Sequence, residues 1–187
     1  AAVMRPAGAK WEDIAVGIMN GQDSMSWLIE RSLMKPRYLI QLARECHGNA
    51  VTAGESQIAE DDFKEGYRIY SLDVIGNTNF ELRDVFPPSF DAIYSLIGAN
   101  RLTTVGEVRD RIEAEGYAPE DAEEIVRLFF WYGVLGAKTA TGKEKYVYDY
   151  RYDEKIFSRV RQTKLGRDEP VFINLAFSRG LDCIDLI

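Results

Sequence analysis

Cysteine, histidine and long apolar runs are what this chain has least of, and each shortage removes a class of function. Two cysteines in 187 residues, Cys46 and Cys183, lie far apart and without partner spacing. Disulfide-built domains are denser in cysteine, so two reduced thiols in a cytoplasmic protein are expected. A single histidine, His47, leaves one imidazole for any Ser-His-Asp or Cys-His device. Cys46 and His47 are neighbours on one expected helix and point about 100° apart, which sets them on different faces. No C-x-x-C and no H-x-x-x-H occurs, so thiol or imidazole metal ligation lacks its usual spacing. The carboxylate groups Glu60-Asp61-Asp62 and Glu120-Asp121 with Glu123-Glu124 stand at expected helix starts, where the helix dipole accounts for them without a cation. The longest apolar run, Leu128 to Leu135, contains Tyr132 and Gly133 and falls short of the roughly 18 residues of a membrane helix. A phosphate-cradling G-x-x-x-x-G-K-[ST] loop is also missing, because Gly142-Lys143 lacks the leading glycine and runs into Glu144. The chain by itself is not expected to hydrolyse ATP.

A basic excess is missing too. Lys and Arg number 23 against 30 Asp and Glu, for a net charge of −7. General nucleic-acid binders draw affinity from neutralising phosphates and are usually basic. Residues 1–70 hold 8 basic and 10 acidic groups, residues 71–150 hold 8 and 14, and residues 151–187 hold 7 and 6. Only the tail is close to neutral, so any DNA contact is expected to be local.

What is present is a folded chain. A hydrophobic fraction of 46% with three Trp and ten Tyr argues for one ordinary domain or two small ones, not for disorder. The first residues, Ala1-Ala2-Val3, do not begin with Met, which suits a fragment or a processed protein. Residues 11–19 and 24–34 read as two short helices parted by the Asn20-Gly21 turn, the second capped by Ser24 or Ser26 with Trp27, Leu28 and Leu33 inward. From Pro36, the apolar residues Leu39, Ile40, Leu42, Ala43, Cys46 and Ala50 recur at helical spacing until Gly54. A third helix begins near Ala59, capped by Ser56 or Gln57, and carries Phe63, Tyr67 and Tyr70 as a core stripe. Gly76-Asn77-Thr78-Asn79 marks a boundary between residues 1–76 and 77–187.

Beyond it the order is that of a winged helix. A helix lies within Phe80–Ile97, kinked at Pro87-Pro88. Thr104-Val105-Gly106-Glu107 is a capping box opening a second helix. Pro119 opens a third that carries Ile125, Val126, Leu128, Phe129 and Trp131. Residues 134–137 and 145–150 read as two strands of a hairpin around Thr141-Gly142. In the tail, Pro170 to Asn174 reads as a strand and Phe177 to Leu186 as a short covering helix. The expected fold is mainly α: a helical lid-like bundle followed by a winged-helix domain with a small β-hairpin.

The segment Lys35-Pro36-Arg37-Tyr38-Leu39-Ile40 resembles the second-sensor segment that opens a helix in the helical lid of AAA-type and STAND-type P-loop ATPases. Trp131-Tyr132-Gly133-Val134-Leu135-Gly136, followed by Tyr146-Val147-Tyr148, resembles the winged-helix region after that lid. Two departures stand out: Ala59 replaces the usual Thr cap of the following helix, and Lys35 stands where Arg is common. The resemblance implies a bacterial ATPase part lacking its motor. Arg37 is implied to sense a nucleotide phosphate, with ATP and Mg bound on an absent N-terminal domain. That domain or another protein is the implied partner, and a homo-oligomer is compatible.

The alternative is a winged-helix DNA-binding protein. Its third helix starts Pro119-Glu120-Asp121-Ala122-Glu123-Glu124, with Arg127 as its only base, and such a helix repels phosphate. The wing and tail offer Lys138, Lys143, Lys145, Arg159, Arg161, Lys164 and Arg167 as backbone contacts that read no sequence.

Overall fold

The Asn20-Gly21 pair turns a β-hairpin instead of separating two helices. Both residues take left-handed backbone, with φ of 50° and 78°, the geometry a two-residue hairpin loop requires. It joins β1 (Ile18–Met19) to β2 (Gln22–Asp23), and only a 3-10 turn at Trp11–Asp13 remains of the helix expected over 11–19. The structure is a computed structural model that describes residues 10–161 and 166–184. It is mainly helical with small antiparallel sheets, and it divides into two compact units between Tyr70 and Ser71.

In the first unit, Asp23 rather than a serine caps α1 (Ser24–Glu30), accepting from the Ser26 N–H at 2.8 Å. Trp27, Leu28 and Leu33 are buried, as the pattern implied. Helix α2 (Pro36–Ala53) starts at its proline and stops at Gly54, whose left-handed φ of 77° lets its N–H reach back to the last turn. It buries Tyr38, Leu42, Cys46 and Ala50, a strict four-residue repeat, and leaves Ile40 exposed. Helix α3 (Glu60–Val85) begins without a capping side chain at Ala59. Instead, the Ala59 N–H donates back to Asp62 Oδ2 at 2.9 Å, the N3 half of a capping box. The Gln57 amide, expected as a cap, donates to the Glu12 and Ala15 carbonyls. Phe63, Tyr67 and Tyr70 are core. At Gly66 the two long helices touch backbone to backbone: a Cβ there would stand 2.5 Å from the Cys46 nitrogen.

Helix α3 runs unbroken through Gly76-Asn77-Thr78-Asn79, where a chain break was expected. Tertiary structure overrides the local signal. Thr78 and Asn79 are buried, and the Asn79 amide donates to Asp91 Oδ1 while its oxygen accepts the Asp91 N–H, both at 2.9 Å. Gly76 meets no atom that a Cβ would touch, so its presence costs helix stability of about 1 kcal/mol relative to alanine without an internal reason. The helix stops before Phe86-Pro87. The segment expected as a kinked helix then becomes 3-10 turns at Pro87–Ser89 and Ala92–Leu96.

The second unit continues with β3 (Leu102–Thr104), α4 (Val105–Ala114), α5 (Pro119–Trp131), β4 (Leu135–Lys138), β5 (Glu144–Lys145), α6 (Glu154–Val160), β6 (Pro170–Ile173) and α7 (Leu175–Ser178). Thr104 caps α4 as expected, its hydroxyl accepting from the Glu107 N–H, while Thr103 holds the Glu107 carboxylate. The strand expected over 145–150 is cut short, because Val147–Tyr150 coils into a 3-10 turn. Four strands form one antiparallel sheet in the order β3-β6-β4-β5. The tail strand therefore sits inside the sheet, with Leu102 opposite Phe172 and Leu135 opposite Ile173. The helix expected from Phe177 to Leu186 is the single turn α7, and Leu186 lies outside the described residues.

Candidate functional site

Three cations, Arg31, Lys35 and Arg37, cluster in the link from α1 to α2, and aromatic rings hold them. The Arg31 guanidinium lies 4.0 Å over the Trp27 ring and 5.3 Å from Tyr67, donates to the Trp27 carbonyl, and stands 3.7 Å from Glu30. The Arg31 carbonyl in turn accepts from the Tyr70 hydroxyl at 2.8 Å. Tyr70 meets Tyr38 edge to face at 6.3 Å. Over the Tyr38 ring sit Lys35 Nζ at 5.5 Å and the Arg37 guanidinium at 5.0 Å. Arg37 also donates to the Tyr38 hydroxyl at 3.3 Å. Such cation–ring contacts contribute about 0.5–1 kcal/mol at exposed sites.

Arg37 is exposed, and among the described residues no carboxylate lies within ion-pair range of it or of Lys35. Both stand at the uncapped first turn of α2, where the helix dipole already favours an anion. Leu33 and Met34 before it both take φ of 53°, which costs a non-glycine residue about 1–2 kcal/mol each. Charge, dipole and ring support thus converge on a corner able to receive an anionic group. Arg37 was legible in the sequence. Arg31, Tyr38 and Tyr70 were not assigned to it, although Tyr38 adjoins Arg37 in the same segment.

The expected basic surface in the second unit looks different. Lys145 Nζ pairs with Asp149 at 3.1 Å. Arg161 is buried, with Nε and Nη2 on the two Glu169 oxygens at 2.8 and 3.2 Å and its guanidinium 4.0 Å over the Phe130 ring. Arg167 grips both Asp110 oxygens at 2.6 and 2.7 Å. Arg127 on α5 is held by Glu124 at 2.6 Å and Glu154 at 3.5 Å. Lys138, Lys143 and Arg159 have no carboxylate partner among the described residues, and Lys164 lies outside them.

A polar network also crosses the sheet. Arg101 grips both Glu144 oxygens at 2.6 and 2.7 Å, and the Tyr146 hydroxyl donates to Glu144 at 2.9 Å. Burial, then the Glu144 charge, push the Tyr146 phenol well above its usual range. The Tyr146 ring stacks on Tyr148, whose hydroxyl accepts from Asn174 at 3.0 Å. The Tyr146 ring fills the space beside Gly136, so the network locks β5 to its neighbours. Among the described residues no His, Cys, Asp and Glu group is arranged to hold a metal ion, and no helix is long and apolar enough to cross a membrane. Cys46 is buried, its thiol 4.0 Å from the Phe63 carbonyl, while His47 is exposed.

Residues 2–79, less than half of the chain, match the family model of the FunZ-associated C-terminal helical domain. The match takes in the basic corner and ends within α3. No curated protein and no solved structure matches the chain significantly.

Proposed function

We propose that this chain is a non-catalytic regulatory module that closes, as a lid, on a nucleotide-bearing partner domain. In this reading residues 1–76 are the lid, and Arg37 reaches a phosphate of ATP held with Mg on a neighbouring P-loop domain. Residues 77–187 are a winged-helix-like unit that docks on that domain or on another protein. The observation that carries the reading is the Arg37 guanidinium: exposed, without a carboxylate among the described residues, and steadied on Tyr38 at the head of α2. A fixed cation near a transferring phosphoryl group is a recurrent ATPase device. The match to a helical domain described as C-terminal and FunZ-associated agrees with an appended module.

The test is ATP turnover by the native protein that carries the ATPase domain. Arg37→Ala is expected to slow turnover at least about tenfold while leaving the melting temperature in place. Arg37→Lys restores the charge but not the planar fork, so recovery is partial. Unchanged turnover in Arg37→Ala rules out the phosphate-sensing role.

A further inference from the structure

Two exposed helix faces of this chain match each other in length, charge and surface relief. On α2, Arg37, Ile40, Arg44, His47, Gly48 and Val51 fall within a strip about 100° wide. Ile40 and Val51 are 68% and 58% exposed. The one acid on this helix, Glu45, lies at the strip's edge beside Arg44 at 3.4 Å. On the second half of α3, Leu72, Asp73, Gly76, Asn77, Phe80 and Asp84 fall within a strip about 140° wide, bordered by Glu81. Leu72 and Phe80 are 46% and 53% exposed. The one base there, Arg83, is turned onto Asp84 at 3.1 Å and onto the Phe80 ring. The strips span 15 and 13 residues, about 18–21 Å.

Each strip also carries a bare glycine. Neither Gly48 nor Gly76 has any atom within 4 Å of where a Cβ would stand. Packing inside the chain therefore gives neither glycine a reason to be there. A flat spot between exposed apolar side chains lets a second helix come close.

We infer that these faces bind each other between two copies of the chain, the basic α2 strip of one copy on the acidic α3 strip of its partner. Such a contact, made twice about a two-fold axis, closes a dimer. Oppositely charged rims set the register, and the apolar residues around the two glycines form the dry centre. The inference does not rest on the nucleotide reading, and its test leaves Arg37 untouched.

The experiment is sedimentation equilibrium of the full chain from about 1 μM to about 500 μM, a range that brackets weak and moderate dimers. The mass is expected to rise from 21.3 kDa to twice that value, with weaker association at high salt. Arg44→Glu/His47→Glu and Asp73→Arg/Glu81→Arg each set like charges on both contacts and weaken association at least roughly tenfold. An equimolar mixture of the two variants restores opposite charges at both contacts and recovers association to within roughly threefold of the unmodified chain. Gly48→Leu weakens it without lowering the melting temperature. A chain that stays at 21.3 kDa throughout, variants that associate unchanged, or a mixture that does not recover would each overturn the inference.

Discussion

Arg37 and Arg161 are the same side chain in opposite circumstances. Both lie over an aromatic ring, at 5.0 Å from Tyr38 and 4.0 Å from Phe130. Arg161 is buried and forked onto Glu169, whereas Arg37 faces solvent without a carboxylate among the described residues. A buried cation without a counter-charge is too costly to keep, so the second unit matches Arg161 with an acid. At the surface a ring suffices, and the charge stays available to whatever arrives. Arg127, Lys145 and Arg167 are also matched with acids, though at the surface, and Lys35 follows the pattern of Arg37. A count of basic residues therefore says little about where a cation can act.

The comparison breaks most visibly at Glu169. Glu169→Ala strands Arg161 inside the second unit and is expected to cost about 3–5 kcal/mol, read from urea denaturation. An effect no larger than that of a surface ion pair would show that Arg161 finds water or another acceptor. Gly66→Ala tests the ring-lined first unit, where the added Cβ meets the Cys46 backbone rather than a movable side chain. Overpacking there is expected to cost about 1–3 kcal/mol, measured the same way.

A third effect is absent at neutral pH and confined to alkaline pH. Burial pushes the Cys46 thiol from 9.0 up to about 12, so the folded state holds its proton where the unfolded chain releases it. The resulting stability is complete below pH 9.0 and drains away as pH rises towards 12. The stability difference between the unmodified chain and Cys46→Ala should be flat up to pH 9.0 and then move against the unmodified chain. A flat difference throughout would mean that the thiol is reached by water.

Local chemistry was legible in the sequence wherever it was enough to decide the structure. Pro36 and Gly54 bracket α2, and Thr104 caps α4, because each needs only its own neighbours. Arg37 stands out for the same reason, since its position follows from Pro36. What was not legible depends on partners distant in sequence. Gly76-Asn77-Thr78-Asn79 reads as a break, yet Asn79 is claimed by Asp91 and the helix continues. Asn20-Gly21 signals a turn without saying whether helices or strands flank it, and pairing of Ile18 with Asp23 decides that. The tail strand was recognisable from Val171, Phe172 and Ile173, but its central place in the sheet follows from pairing with residues about 35 and 70 positions away. Burial of Arg161 was equally hidden, because nothing local distinguishes it from exposed Arg159.

The close approach at Gly66 gives the first unit a gauge of its own motion. Cys46 sits where the α2 and α3 backbones touch, so a thiol reagent cannot reach its sulfur until that seam parts. When reclosing outpaces the chemistry, the labelling rate equals the rate for a free thiol multiplied by the fraction of molecules open at that moment. A timed alkylation, followed by mass spectrometry of the peptide holding Cys46, would then convert minutes into an opening free energy. Repeating it with candidate ligands would show which of them holds the two helices shut.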